Sequence, residues 1–106
     1  MRLSPEESMN IVSVFMALSA GKPHKVYLFG SRADDHKRGG DIDLLCIVDD
    51  SNVEWLQMKK FELLTAIKEK IGDQKIDIVI RGESAAQNEP FAASVLPSSI
   101  LLSDVK

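Results

Sequence analysis

The stretch that most constrains this chain runs from Leu28 to Leu45, Leu-Phe-Gly-Ser-Arg-Ala-Asp-Asp-His-Lys-Arg-Gly-Gly-Asp-Ile-Asp-Leu-Leu. An apolar run ends in Gly30-Ser31, a polar loop of nine residues (32–40) follows, and a second apolar run opens with Asp41 and Asp43. If residues 41–48 form a β-strand, side chains alternate between faces, so the two carboxylates project together while Ile42 and Leu44 point the other way. Like charges side by side repel, and a packed core rewards neither of them. A hard divalent cation does, because it takes carboxylate oxygens, and two such ions roughly 3.5–4 Å apart clamp a transferring phosphate. Gly30 tolerates a sharp turn and lets a phosphate approach the main chain, while the Ser31 hydroxyl and nearby amides donate to its oxygens. The loop reads as a phosphate cradle joined to a metal-ligand pair.

A third carboxylate, Asp77, sits in a later apolar run, Lys75-Ile76-Asp77-Ile78-Val79-Ile80. In a strand it shares a face with Val79 and Arg81, with Ile76, Ile78 and Ile80 on the other. An unpaired buried carboxylate is costly. A salt bridge is one answer, and a metal or general-base role is the other.

Gly-Ser, nine residues, then Asp-Ile-Asp at the head of an apolar strand resembles the signature of the polymerase-beta-type nucleotidyltransferase superfamily, and Leu-Phe-Gly-Ser-Arg-Ala resembles its minimal nucleotidyltransferase (MNT) branch. The resemblance extends over essentially the whole chain, including Asn88-Glu89-Pro90-Phe91 and the apolar run near the C-terminus. It implies an α/β (α+β) palm-like fold, a small mixed sheet with helices packed on it. It also implies an enzyme that moves AMP from ATP, or NMP from NTP, to a hydroxyl and releases pyrophosphate. In that reading Asp41 and Asp43 hold the Mg²⁺ on the triphosphate, both with Asp77 hold a second Mg²⁺, and Gly30, Ser31 and Arg32 bind the nucleotide. Asp77 is also placed to take the acceptor's proton. MNT members commonly carry a second Arg-Gly where this chain has Asp34-Asp35, which leaves Arg38 to supply the basic contact. Free-standing members are typically antitoxins that attach AMP to a tyrosine of a helical HEPN-type toxin, so a separate partner and a homo- or hetero-oligomer are implied. Two alternatives stand beside this reading: a non-catalytic subunit that blocks its partner by contact, and a small-molecule nucleotidyltransferase that needs a separate substrate-binding subunit.

Composition narrows the field. With 106 residues the chain is expected to be one domain, 1–106, without a second substrate-binding domain. The formal net charge is −3 and there is no basic tract, so direct nucleic-acid binding is not expected. No apolar run is long enough to span a membrane, and Glu6 and Glu7 interrupt any leader-like start, so a cytoplasmic location is the expectation. A P-loop is excluded because no Gly-Lys-Ser or Gly-Lys-Thr follows the turn. A classical zinc site lacks ligands, with one cysteine and two histidines. Cys46 reads as a buried structural thiol.

The rest of the chain supplies the scaffold, in the order α-β-β-α-β with a short helix and strand at the end. Ser4, Pro5 and Glu7 open a helix over residues 4–20 with Ile11, Val12, Phe15 and Leu18 on one face. Strands are expected over 25–29, 41–48 and 75–81. Ser51 and Glu54 form a second capping box for a helix reaching Ile71, stopped by Gly72, with Trp55 at its edge. Residues 84–88 read as a loop, 90–95 as a short helix, and Ile100-Leu101-Leu102 as an edge strand.

Overall fold

A computed structural model describes residues 1–36 and 39–106. Helix α1 (Pro5–Leu18) begins as its sequence requires: the Ser4 hydroxyl accepts the Glu7 amide and the Glu7 carboxylate accepts the Ser4 amide, each at 3.0 Å. Strand β1 (His24–Phe29) leads into a 3₁₀ turn at Gly30–Ala33, and the chain returns as β2 (Ile42–Val48). Then come α2 (Val53–Gln57), α3 (Lys60–Ile71), β3 (Ile76–Gly82), α4 (Glu83–Asn88), α5 (Pro90–Val95) and β4 (Ile100–Val105).

The strands form one mixed sheet in the order β3-β2-β1-β4. β1 is antiparallel to both β2 and β4, while β2 and β3, joined through α2 and α3, run parallel. Parallel neighbours need such a crossover, because their connected ends lie at opposite ends of the strands. On one face Val26, Leu28, Ile42, Leu44, Cys46, Ile76, Ile78 and Ile80 are buried with Ile11, Val14 and Phe15 of α1 and Leu63 and Ile67 of α3. This is the core. Its helical residues recur at intervals of three and four, so each helix presents one apolar stripe. The second face is covered more sparingly. α4 contacts β2 and β3, and Phe91 of α5 meets Phe29 edge-on at 5.7 Å.

Four details differ from the sequence reading. The helix expected from Ser51 to Ile71 is divided at Met58-Lys59, where neither Gly nor Pro marks a break. Its capping box does not form, because the Ser51 amide and hydroxyl both turn back to Asp49 within a 3₁₀ turn at Asp50–Asn52. Residues 84–88 belong to a helix rather than a loop: Asp50, distant in sequence, accepts from the amide and the hydroxyl of Ser84 and so satisfies a donor that the first turn leaves open. On α1, Val14 rather than Val12 completes the buried stripe. Cys46 is buried as expected, which pushes its thiol up to about 12. No helix among the described residues is long and apolar enough to cross a membrane.

Candidate active site

The carboxylates of β2 and β3 meet at one end of the sheet. Phe29 opposes Asp43 across the antiparallel ladder, and Asp43 opposes Asp77 across the parallel one. Adjacent strands lie about 4.8 Å apart, so Asp43 and Asp77 leave neighbouring backbones at the same level. Because Ile42, Leu44, Ile76 and Ile78 fill the helix-covered face, alternation sends both carboxylates to the opposite one. Asp43 is half-buried and Asp77 is exposed. Burial, then the charges of Asp77 and Asp41, hold the Asp43 carboxyl above the ordinary carboxylate range, with Lys75 opposing them. Among the described residues neither Asp43 nor Asp77 accepts a side-chain hydrogen bond or forms an ion pair.

Asp41 stands one residue before β2, and its carboxylate lies 3.5 Å from Lys75 Nζ. The lysine side chain is 80% exposed, and a pair so open to water is worth at most about 1 kcal/mol, so Asp41 is readily released from it.

The turn beside these carboxylates depends on glycine. Gly30 has φ +75°, and a Cβ there would run into the Asp43 carboxylate. Gly39, with φ +151°, passes so close to Ser31 that a Cβ would lie 2.6 Å from its hydroxyl oxygen. Only glycine lets the backbone come this near both groups. The Ser31 hydroxyl has no partner among the described residues, and it lies on the Gly39 side of the turn. Arg32 is arranged differently. Its guanidinium donates to the carbonyls of Arg2 (2.8 Å) and Gly40 (3.1 Å) and to Gln74 Oε1 (3.0 Å).

A glycine-serine turn lies against Asp43, which the fold sets level with Asp77 on the adjacent strand, and the family model described as "Polymerase beta, Nucleotidyltransferase" matches residues 10–105. The chain belongs to this nucleotidyltransferase family. No curated protein matches it. The mixed sheet with helices on both faces is consistent with a nucleotidyltransferase fold.

Members of this family usually use a nucleoside triphosphate and a divalent metal, and the donors here are all carboxylate oxygens, the chemistry a hard ion prefers. They are not drawn into a ready-made cage: among the described residues no three His, Cys, Asp or Glu side chains gather closely enough to hold an ion. Mg²⁺ does not require one. It binds through one or two carboxylates together with substrate phosphates and water, and Asp43 and Asp77 are the carboxylates that stand level on neighbouring strands.

Two neighbours of the site carry signals in the sequence. Gly39 is half of a Gly-Gly doublet, and Lys75, two residues before Asp77, falls on the same strand face by simple alternation. Gln74 has none, because its role is created by tertiary contact. Arg38 lies outside the described residues. Trp55 is half-buried with Lys22 and Lys59 Nζ at 5.3 and 4.9 Å from its ring, so lysines occupy its flanks.

Proposed function

We propose that this nucleotidyltransferase moves AMP from ATP to a hydroxyl of a partner protein, a tyrosine of a separate helical HEPN-type toxin, and thereby acts as an antitoxin. The observation that carries the chemistry is the Asp43–Asp77 pair, level across the parallel ladder, with Gly30-Ser31 against Asp43. Asp43 and Asp77, joined by Asp41 and the substrate phosphates, would hold Mg²⁺, which when bound neutralises triphosphate charge and makes the acceptor hydroxyl more acidic. The acceptor oxygen forms a bond to the α-phosphorus as the bond to the α,β-bridging oxygen breaks and pyrophosphate leaves. Asp77, the exposed member of the pair, takes the acceptor's proton. The backbone and hydroxyl at Gly30-Ser31 hold the leaving phosphates in line.

The raised Asp43 carboxyl supports this reading. A group pushed toward its neutral form by burial, and then by two like charges, is one that a cation would restore. The test is incubation with labelled ATP, Mg²⁺ and the product of the neighbouring gene. Label is expected on a tyrosine of that product and absent with Asp43→Asn. Neutralisation of the partner that survives loss of Asp41 and Asp43, with no label transferred, would overturn the proposal.

A further inference from the structure

Arg32 directly follows the serine of the turn, where a phosphate contact is the natural expectation, yet its guanidinium is spent on protein. It grips the main chain on both sides of the site loop, at Arg2 and at Gly40, and reaches Gln74 just before β3. The return contacts run from Arg2, whose amide donates to the Arg32 carbonyl at 2.8 Å and whose Nη2 donates to the Ser31 carbonyl at 3.1 Å.

Gln74 extends the chain of bonds. Its Oε1 accepts from Arg32, while its Nε2 donates to Glu7 Oε2 at 2.8 Å and to the Ile71 carbonyl at 3.0 Å. The other Glu7 oxygen accepts the Ser4 amide in the cap of α1. An amide side chain suits position 74, because one end accepts from a cation and the other donates to an anion. Charge-assisted bonds at both ends polarise the amide between them. The two far grips are next to the metal-ligand candidates: Gly40 precedes Asp41, and Gln74 precedes Lys75, whose carbonyl accepts the Ile42 amide at 2.9 Å.

We infer that Arg32 is a positioning residue, and that Arg32, Gln74 and Glu7 form a clamp from helix α1 that sets the Asp41–Asp43 end of the sheet for the metal and nucleotide. This rests on the reading of those carboxylates as the reacting site. Loss of an outer partner that orients metal ligands typically costs 10–100-fold in metal affinity.

The test is a polarity swap with two readouts: Mn²⁺ affinity in the presence of a non-hydrolysable ATP analogue, well below the melting temperature, and hydrogen exchange at the Ile42 amide. Gln74→Glu keeps an acceptor for Arg32 but sets a carboxylate against Glu7, and about 10–100-fold weaker Mn²⁺ binding with faster Ile42 exchange is expected. Glu7→Gln combined with Gln74→Glu restores a donor opposite an acceptor and preserves the capping box, so both readouts should return most of the way. If Arg32→Ala weakens binding of the ATP analogue while the Gln74 variants behave as wild type, Arg32 is a phosphate ligand and the clamp is wrong. If wild-type protein binds neither Mn²⁺ nor the analogue, the proposed function fails, and the Ile42 exchange rates alone decide the clamp: a swap-reversible change upholds it, and unchanged rates overturn it.

Discussion

Strand β2 carries an acidic pair at each end, and the two are treated in opposite ways. At its far end Asp49 accepts from the amide and hydroxyl of Ser51, and Asp50 accepts from those of Ser84. These hydrogen bonds, side-chain first and backbone second, hold both carboxyls below the usual range. At its near end Asp43 is pushed the other way, by burial first and then by the charges of Asp77 and Asp41. The same residue type thus serves as a satisfied turn-former in one place and as an unsatisfied, charge-crowded group in the other. Folding alone explains the first arrangement, whereas the second leaves a crowded carboxylate without a partner among the described residues, which is what marks a candidate site against structural carboxylates.

The largest expected effect is on transfer. Asp43→Asn and Asp77→Asn should each reduce labelled AMP transfer by more than the roughly 10–100-fold that loss of an outer partner costs, with circular dichroism unchanged. Asp50→Asn should leave transfer at the wild-type rate. If the near-end variants transfer normally, the contrast between the pairs has no functional meaning.

Gly30→Ala comes next. The left-handed backbone costs an ordinary residue about 1–2 kcal/mol, and the added Cβ must also displace the Asp43 carboxylate. A lower melting temperature together with a loss of transfer is expected, whereas Gly72→Ala, which also has a positive φ but nothing near its Cβ, should cost stability alone. Thermal melts with parallel transfer assays check both.

Stability against pH, measured with a chelator present, sharpens the comparison further. Asp43 has its folded pKa raised, so the metal-free native state binds the extra proton more readily than the unfolded chain and its crowding is felt in full at neutral pH. Asp43→Asn should therefore melt higher than wild type at pH 7, and the gain should shrink to nothing as pH falls through the Asp43 titration and below the unfolded value of about 3.9. Asp50 has its folded pKa lowered, so its contribution is present above the unfolded value and is lost as pH falls through the folded one. Asp50→Asn should melt lower at pH 7, and that deficit should vanish in acid. Differences of the same sign at pH 7 would break the contrast.

The smallest expected effect is the response to Mg²⁺ alone. It should raise the melting temperature of wild type and Asp50→Asn but not of Asp43→Asn, because an ion bound only by the native state stabilises it by mass action. A thermal series in MgCl₂ measures this.

Much of this was legible in the chain itself. Alternation and composition located β1, β2 and β3 to within a residue, and the capping box placed the start of α1, because strand period and cap chemistry are local properties. The spacing from Gly30-Ser31 to Asp43 and the lone Asp77 singled out the candidate site for the same reason: each is an apolar run broken by a group the core would reject. The tertiary structure decided what depends on residues distant in sequence. The parallel register sets Asp43 level with Asp77. Asp50 turns an expected loop into α4. Arg32 meets carbonyls and Gln74, because a guanidinium goes to whichever acceptors the fold brings within reach, and no local pattern encodes which those are.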